Sequence, residues 1–375
     1  MRTPLRHLTL LLALIAGAGQ AADYRVDTLV RGLDHPWSLA FLPDGRMLVT
    51  ERVGRLRMID AEGELVEEPL AGLPEVFSSG QAGLKEVALA PDFAESSLLY
   101  LSYACGSSNA NHLCLARARL EGHALNDVEE IFRAQPAKRG GAHYGGRIAF
   151  LPDGTLLLPV GDGFDYREES QKLSSHLGSI VRLNPDGSVP GDNPFVDQDG
   201  ALPEIYSLGH RNPQGIVYDE QEGRVVSTEH GPRGGDEVNV IQPGANYGWP
   251  LVTHGVDYTG ARITPYSSKE GYEDPLVDWT PSIAPAGLAL YRGDLFADWD
   301  GDYLVPALAG QAVHRVRFDN QGASDVETLF SGMQRRFRDV RVGPDGALYL
   351  LTDRRHGEIL RVTPENMAAQ STEKE

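Results

Sequence analysis

Positive charge is scarce in this sequence. Lys and Arg number 34 against 53 Asp and Glu, which gives a formal net charge of −19 over 375 residues. A protein this acidic repels nucleic acid and anionic membrane surfaces, so we expect neither as a partner. No apolar run reaches the roughly 20 residues that span a bilayer, and we expect no membrane insertion. Any anion that binds must therefore meet a local cluster of basic side chains.

The longest apolar run lies close to the N-terminus. Two arginines precede the run from Leu8 to Ala16, and small residues follow it as far as Ala22. This order is typical of a secretory signal peptide, whereas a membrane anchor would need a longer apolar segment. We therefore expect cleavage after residues 1–22 and a periplasmic or secreted protein. The rest of the chain is predicted to form one domain over 23–364 and a flexible tail over 365–375.

Cysteine is nearly absent. Cys105 and Cys114 are the two in the chain, and the polar segment between them resembles the tip of a β-hairpin. In an oxidising compartment such a pair is expected to form a local disulfide, although two reduced thiols remain the alternative. Neither the spacing nor the neighbouring residues indicate a metal site.

Sustained helical periodicity is also missing, and "DVEEIF" from Asp127 is too short to count. A repeat takes its place, in which an apolar residue precedes an acidic or Gly-containing turn and a short β-rich segment follows. Six copies begin at Phe41, Leu89, Phe150, Val217, Phe296 and Val342. The pattern predicts an all-β protein, a six-bladed β-propeller of four-stranded antiparallel blades. A pair of β-sandwiches or a β-helix is the rival architecture, but the copies are too long and irregular for solenoid rungs.

Polar side chains cluster around the starts of these repeats. They are Gln81, His143, Arg147, Arg211, Asn212, Gln214, Arg336 and Arg338. Because equivalent positions in successive blades surround one axis, we expect these side chains to face a common cavity. Taken singly, a loop His, two Arg on one strand face and a polar turn each have a simpler structural interpretation.

The stretch "EHGPRGGDEVNVIQPGANYGWP", from Glu229 to Pro250, is rich in Gly and Pro around the Asp236–Glu237 pair. Glycine permits unusual backbone conformations and proline removes a donor, so we predict a shaped loop rather than a helix or a central strand. Such a loop serves as a binding site or as a tight turn with solvated acids.

Six ordered motifs together carry a family resemblance: "GQAGLKEVALAPDF", "HYGGRIAFLPDG", "GHRNPQG", the Glu229–Pro250 stretch, "SIAPAGLALYRGD" and "RFRDVRVGPDGALYLLTD". Over about Tyr24 to Thr363 the chain resembles the soluble aldose sugar dehydrogenases that use pyrroloquinoline quinone, the glucose/sorbosone dehydrogenase family. The fold of that family is a six-bladed β-propeller. The resemblance implies oxidation of an aldose at its anomeric C1 hydroxyl to the lactone, with hydride transfer to the quinone and electrons passed to an external acceptor.

The resemblance also implies roles for individual residues. His143 would be the general base, a task that suits an imidazole at neutral pH. The residues implied to bind the quinone are Gln81, Arg211, Asn212, Tyr258, Arg336 and Arg338. A calcium ion beside the cofactor would use the carbonyls of Gly231 and Pro232, and a second, structural calcium would use Glu237 and the main chain of Tyr247.

One position departs from the family pattern. Some glucose-oxidising relatives carry a Lys after "VPxL" that contacts the cofactor, where this chain has Ala309. This departure and the unassigned loops leave the preferred sugar, the electron acceptor and the choice between monomer and dimer open. A calcium-dependent lactonase and a non-redox sugar-binding propeller are the alternative functions, and neither needs the paired arginines.

Overall fold

The computed structural model describes residues 24–320 and 322–365. The predicted signal peptide lies outside the described residues, as does the predicted tail apart from Glu365. Within the described ranges, no helix is long and apolar enough to cross a membrane.

The described chain forms 23 strands in six sheets. The first and second blades contain β2 (Pro36–Phe41), β3 (Met47–Glu51) and β4 (Arg55–Ile59), then β5 (Leu84–Leu89), β6 (Leu98–Ser107), β7 (Ala110–Glu121) and β8 (Ala124–Arg133). The third and fourth contain β9 (Ala149–Phe150), β10 (Leu156–Val160), β11 (Ser179–Leu183) and β12 (Ile205–Leu208), then β13 (Pro213–Asp219), β14 (Arg224–Glu229), β15 (Asp236–Ile241) and β16 (Val277–Trp279). The fifth contains β17 (Ala289–Leu290), β18 (Tyr303–Pro306), β19 (Val313–Asp319) and β20 (Gly322–Leu329). The sixth contains β21 (Phe337–Val342), β22 (Leu348–Thr352), β23 (Gly357–Pro364) and β1 (Tyr24–Leu33).

The blades surround a central axis. The first strand of one blade contacts the first strand of the next at several places, as β2 does with β5 and β21, and β13 with β9 and β17. The six repeat turns connect the first strand to the second strand of each blade, where the sequence predicted them. The six-bladed propeller with antiparallel blades is therefore confirmed.

The sixth blade closes the ring. Its outer strand is β1, which pairs antiparallel with β23 from Tyr24 opposite Pro364 to Leu33 opposite Gly357. The first blade has three regular strands, and an antiparallel bridge between Ile59 and Leu65 stands where a fourth would lie. The other five blades have four strands each.

Hydrophobic side chains fill the space between neighbouring blades. Leu48 of the first blade packs in one cluster with Leu99 and Leu101 of the second, and Leu304 of the fifth packs in another with Leu350 of the sixth. Burial of such apolar faces on both sides of a sheet is the main favourable contribution to folding. The blades are consequently held at fixed angles around the axis.

Helix in the described residues is confined to one turn and three 3-10 segments: Phe93–Ser96, then Arg167–Gln171, Ala297–Trp299 and Ser331–Met333. The segment "DVEEIF" belongs to strand β8. The predicted disulfide between Cys105 and Cys114 is confirmed, with 6.0 Å between the two Cα atoms. It joins the paired strands β6 and β7 beside their hairpin turn.

The prediction of a single loop from Glu229 to Pro250 is wrong in its middle. Glu229 ends β14, and the residues from Asp236 to Ile241 form β15 between two hydrogen-bonded neighbours. The apolar residues of "VNVI" alternate with polar ones, which favours a strand and outweighs the flanking glycines. Asp236 and Glu237 are buried rather than solvated.

Candidate active site

The candidate site lies at the end of the propeller where the first strands begin and the second strands end, which we call the upper face. Chain segments turn sharply into the first strand there. Non-glycine residues on these segments have positive φ, among them His35 at 50°, His143 at 50° and Ala284 at 55°. Such left-handed residues are uncommon outside tight turns and functional sites. In five blades the residues that follow the second strand also reach this face, namely Arg52, Asp162, His230, Leu308 and Asp353.

His143 is held from both its backbone and its ring. Its main-chain N–H donates to the side-chain oxygen of Gln81 over 2.8 Å, and Nδ1 lies 2.6 Å from Oδ1 of Asp162. Asp162 is held in turn by the Phe164 N–H and the indole N–H of Trp249, each over 2.8 Å. A carboxylate on Nδ1 fixes the tautomer with the proton on that atom. The lone pair of Nε2 is therefore the part of the ring that can accept a proton.

The electrostatics keep this pair in the state that a base requires. Burial lowers the pKa of the His143 imidazole below its ordinary 6.5, and the hydrogen bond and charge of Asp162 oppose that shift. Burial would raise the pKa of Asp162, but the hydrogen bond and charge of His143 and the charge of Arg211 outweigh it and lower that pKa. At neutral pH the imidazole is consequently neutral and the carboxylate is ionised.

A cavity of about 190 Å³ lies close to His143, since its lining contains Tyr144 and the Gln81 side chain that accepts from the His143 N–H. Its polar lining includes the predicted residues Gln81, Asn212, Arg336 and Arg338 together with Arg52, Lys85, His230 and Asp353. Arg336 and Arg338 both reach the Asp353 carboxylate, over 3.3 Å and 3.4 Å. The two arginines therefore face one cavity, as their spacing on a strand predicts.

Several donors in this region lack a protein partner. Nε of Arg338, Nε of Arg211 and Nε2 of His230 are buried and make no hydrogen bond within the described chain. Burial, followed by the charges of Arg211 and Arg338, lowers the pKa of His230 to about 3, so this imidazole is neutral. Buried polar groups are normally satisfied, and unpaired cationic donors beside a cavity indicate a site for an anion.

A second cavity, of about 380 Å³, has Arg211 in its lining, next in the chain to Asn212 of the first cavity. Arg211 and Tyr258 line it with Phe164, Pro232 and Trp249. The Phe164 ring meets His143 edge-on with centroids 5.1 Å apart, and it stacks on Tyr258 with centroids 6.2 Å apart. Arg211 donates to the Tyr258 hydroxyl over 3.3 Å. Residues that contact His143 thus line both cavities, and the half-exposed Tyr258 lines the second.

The carbonyls implied to hold calcium beside the cofactor are already engaged. Arg211 donates to the carbonyls of Gly231, over 2.5 Å, and His230, over 3.2 Å. Ser282 donates to the Pro232 carbonyl over 3.4 Å. A calcium ion and a guanidinium cannot share one carbonyl oxygen comfortably, because both are cations. Calcium at Gly231 therefore requires Arg211 to turn away from it.

The residues implied to hold the second calcium lie away from the cavities and fit a cation better. Glu237 pairs across the sheet with Glu229 on one side and Asp278 on the other. Oδ1 of Asn239 and Oδ2 of Asp278 are buried without partners in the described chain. Burial, followed by the charge of Glu229, raises the pKa of Glu237 well above its ordinary value. Buried, unpaired oxygens are the ligands that calcium prefers.

Tyr247 approaches this acidic row indirectly. Its ring stacks on His210 with centroids 4.6 Å apart, and Nδ1 of His210 lies 3.0 Å from the Glu229 carboxylate. Glu237 and Tyr247 are therefore brought to one region, which is separate from the region of His143.

Sequence reasoning missed several residues of the site. Asp162, Lys85, His230 and Asp353 were not among the candidates, although each lies in or directly behind the first cavity. A signal existed for three of them, because Asp162, His230 and Asp353 come within two residues after the second strands of their blades. In a propeller those positions share a face with the starts of the first strands.

Comparisons with known proteins show the family of the chain. Residues 33–361 match the family model described as Glucose / Sorbosone dehydrogenase. Aldose sugar dehydrogenase YliI of Escherichia coli is 41% identical over 352 residues, covering 92% of this chain and 94% of that protein. The crystal structure of the soluble aldose sugar dehydrogenase from Escherichia coli, in the apo-form, aligns with a TM-score of 0.88 at 39% identity, covering 91% of this chain and 100% of that one. The PQQ-bound form of aldose sugar dehydrogenase from Streptomyces coelicolor aligns with a TM-score of 0.72 at 31% identity, covering 91% and 99%. The chain belongs to the glucose/sorbosone dehydrogenase family of oxidoreductases.

Proposed function

We propose that this protein oxidises aldose sugars at the anomeric C1 hydroxyl to the lactone, with pyrroloquinoline quinone as its cofactor. The observation that carries the proposal is the buried His143–Asp162 pair close to a cavity that Arg336 and Arg338 line, where Nε of Arg338 is buried without a partner in the described chain. The first feature supplies a base and the second supplies a site for an anion. The PQQ-bound relative from Streptomyces coelicolor supports this choice of anion.

His143 would act as the general base. Nε2 takes the proton of the C1 hydroxyl, the C1 hydrogen leaves with its bonding electrons as hydride, and the C1–O bond becomes the carbonyl of the lactone. Asp162 keeps the proton on Nδ1 and stabilises the imidazolium that forms. Phe164 and Trp249 exclude water from this pair, which strengthens the interaction between its charges.

The cavity would bind the cofactor through its carboxylates. Pyrroloquinoline quinone carries three carboxylates, and when bound it supplies the hydride acceptor. Arg336 and Arg338 present guanidinium forks to the cavity, which suit carboxylates better than lysine does. Gln81 and Asn212 line the same cavity, and Arg211 and Tyr258 line the second. The proposed binding set is thus divided over two cavities.

Calcium forms part of the proposal at two places. The acidic row of Glu229, Glu237 and Asp278 would hold a structural calcium ion, with the main chain of Tyr247 as a further ligand. At the cofactor, Gly231 and Pro232 would offer carbonyl oxygens once Arg211 has turned toward the anion. The two sites therefore differ, since carboxylates would supply ligands at the structural site and main-chain carbonyls would supply them at the cofactor.

We also propose that the protein works in the periplasm or outside the cell. The sequence of residues 1–22 and the Cys105–Cys114 disulfide support that location. The electrons would pass to an external acceptor.

The test is dye reduction by the purified protein with a panel of aldoses, with and without added pyrroloquinoline quinone and calcium. We expect turnover that requires both additions. The absence of both turnover and quinone binding would overturn the proposal. Lactone hydrolysis in the same preparation would then assign the site to a lactonase, and sugar binding without chemistry would assign it to a binding propeller.

A further inference from the structure

Lys85 is a buried lysine that lines the first cavity. The sequence did not indicate it as a candidate site residue. It lies on β5, the first strand of the second blade, and its residue is 3% exposed. Its Nζ donates to the Gln81 carbonyl and lies 5.3 Å from the ring centroid of Trp37 and 5.2 Å from that of Tyr144. All four residues line the first cavity. The ammonium group is therefore held in place at the surface of that cavity.

No acid compensates this lysine. Within the described part of the chain, no carboxylate oxygen forms an ion pair with Nζ. The charged groups that act on it most strongly are all cations, namely Arg338, Arg52, Lys138 and Arg147. Burial first, and then those charges, hold the pKa of Lys85 well below its ordinary value. A buried ammonium group without a counter-ion is energetically costly. This arrangement therefore indicates that a bound ligand supplies the negative charge.

The charge of the cavity lining indicates what that partner is. Asp353 is the single carboxylate of the lining, and Arg52, Arg336 and Arg338 all face it within 4.0 Å. With Lys85 protonated, four cations oppose one carboxylate and three positive charges remain. Three is also the number of carboxylates on the proposed cofactor. Without Lys85 the net charge of this lining would fall to two.

We propose that Lys85 is a cofactor-binding residue whose ammonium group forms an ion pair with an anionic oxygen of the bound quinone. The inference rests on the proposed function, because it assigns a further contact within the same site. It has a consequence beyond affinity. An anion beside the amine favours its charged form, so cofactor binding draws a proton onto Lys85.

Lys138 provides the matched control. Its Nζ lies over the same Tyr144 ring, 3.6 Å from the centroid, and donates to the Ala142 carbonyl over 2.8 Å. Burial lowers its pKa to about 7. However, Lys138 is not part of the cavity lining. Substitution at Lys138 removes a buried amino group from the neighbourhood without removing one from the cavity lining.

The experiment is calorimetric titration of pyrroloquinoline quinone into the calcium-loaded protein at mildly alkaline pH, in two buffers of different ionisation enthalpy. The difference in heat between the buffers gives the number of protons taken up. We expect the wild-type protein to take up a proton on binding. Lys85→Met should lose that uptake and bind the quinone about 30-fold more weakly or worse. Lys138→Met should bind within about 3-fold of wild type, because it removes no charge that faces the cofactor.

Circular dichroism checks that each variant is folded, and Lys85→Gln replaces Lys85→Met if the latter is not. Wild-type affinity and wild-type proton uptake in a folded Lys85 variant would overturn the inference while the proposed function stands. Weaker binding with unchanged uptake would overturn it as well, because Lys85 would then act through packing alone. If the wild-type protein binds no quinone, the proposed function fails and the inference fails with it.

Discussion

The guanidinium of Arg147, on the segment that enters the third blade, donates to the Glu86 carboxylate of the second blade over 2.8 Å. The same side chain also reaches the other four blades. Its contacts there are the ring of Trp37 at 4.0 Å, the carbonyls of Gln214 at 3.0 Å and Ala286 at 2.9 Å, and the carboxylate of Asp339 at 3.1 Å. One arginine thus touches all six blades at the axis, close to the first cavity.

Arg147→Met is expected to destabilise the whole ring. The substitution keeps an unbranched apolar side chain but removes the guanidinium, which leaves Glu86 and Asp339 with fewer partners. Breaking a buried ion pair typically lowers the free energy of unfolding by about 3–5 kcal/mol. Denaturant titration measures the loss. Arg25→Met removes the partner of Asp27 at the exposed surface and should change the midpoint little. Equal effects of the two substitutions would contradict the central role of Arg147.

His143→Ala and Asp162→Asn separate the base from the group that orients it. Loss of a positioned base lowers kcat by about 10² to 10⁴-fold, and quinone binding should remain. Asp162→Asn should also lower kcat, because the amide no longer fixes the tautomer. Spectroscopic titration of the quinone and steady-state kinetics give the two quantities.

The pH dependence distinguishes orientation from general damage. Asp162 raises the pKa of His143 against the effect of burial, so its removal lowers that pKa further. A base is active in its neutral form. In Asp162→Asn the fall of kcat/KM on the acid side of its pH profile should therefore occur at lower pH. An unchanged acid side of the pH profile would show that the Asp162 carboxylate does not act on the imidazole.

Arg336→Ala combined with Arg338→Ala is expected to weaken quinone binding rather than the chemical step. Loss of two charged forks that face one cavity should raise the Kd by about 100-fold or more. Arg354→Ala is the control, since its guanidinium pairs with Glu358 away from the cavity lining. The same spectroscopic titration measures binding in the double variant. Normal binding would show that the cofactor does not bind at these arginines.

Calcium is expected to stabilise the fold through the acidic row of the fourth blade. A ligand that binds only the folded state, at 100 times its Kd, adds about 2.7 kcal/mol to the free energy of unfolding. Thermal unfolding with calcium and with chelator should show this shift in the wild-type protein. Glu237→Gln should abolish it, because the carboxylate that faces Glu229 and Asp278 is gone.

Glu129→Gln is the control for calcium, since Glu129 lies exposed on the second blade beside Arg117. It should retain the full shift. A shift that survives in Glu237→Gln would place the stabilising ion elsewhere.

The fold could be predicted from the sequence because each repeat is local. A turn such as the one after Phe41 lies between two segments that pair with each other, so the pattern records the hairpin directly. Six such copies along the chain predict six blades around one central axis. The Glu229–Pro250 stretch was misjudged because its glycines and prolines flank, rather than interrupt, the strand β15.

The site could be predicted only where charge stood next to a distinctive turn. His143, Arg211, Arg336 and Arg338 fulfil that condition. Asp162 does not, because its pairing with His143 depends on where β10 ends relative to the start of β9. The position of Lys85 at the cavity was harder to predict. A single lysine in the run "LKEVAL" does not indicate which side of the strand faces a cavity. Side-chain direction relative to the axis is a property of the assembled ring.

The pairing of β1 with β23 has a consequence for synthesis. Ring closure requires residues separated by almost the whole described chain, so a nascent protein that lacks Gly357–Pro364 exposes the edges of β1 and β22. Unpaired strand edges are templates for association with other chains. The growing polypeptide therefore passes through a stage at which five blades can be present while the molecule is still an open arc, and a chaperone that shields strand edges would act at that stage.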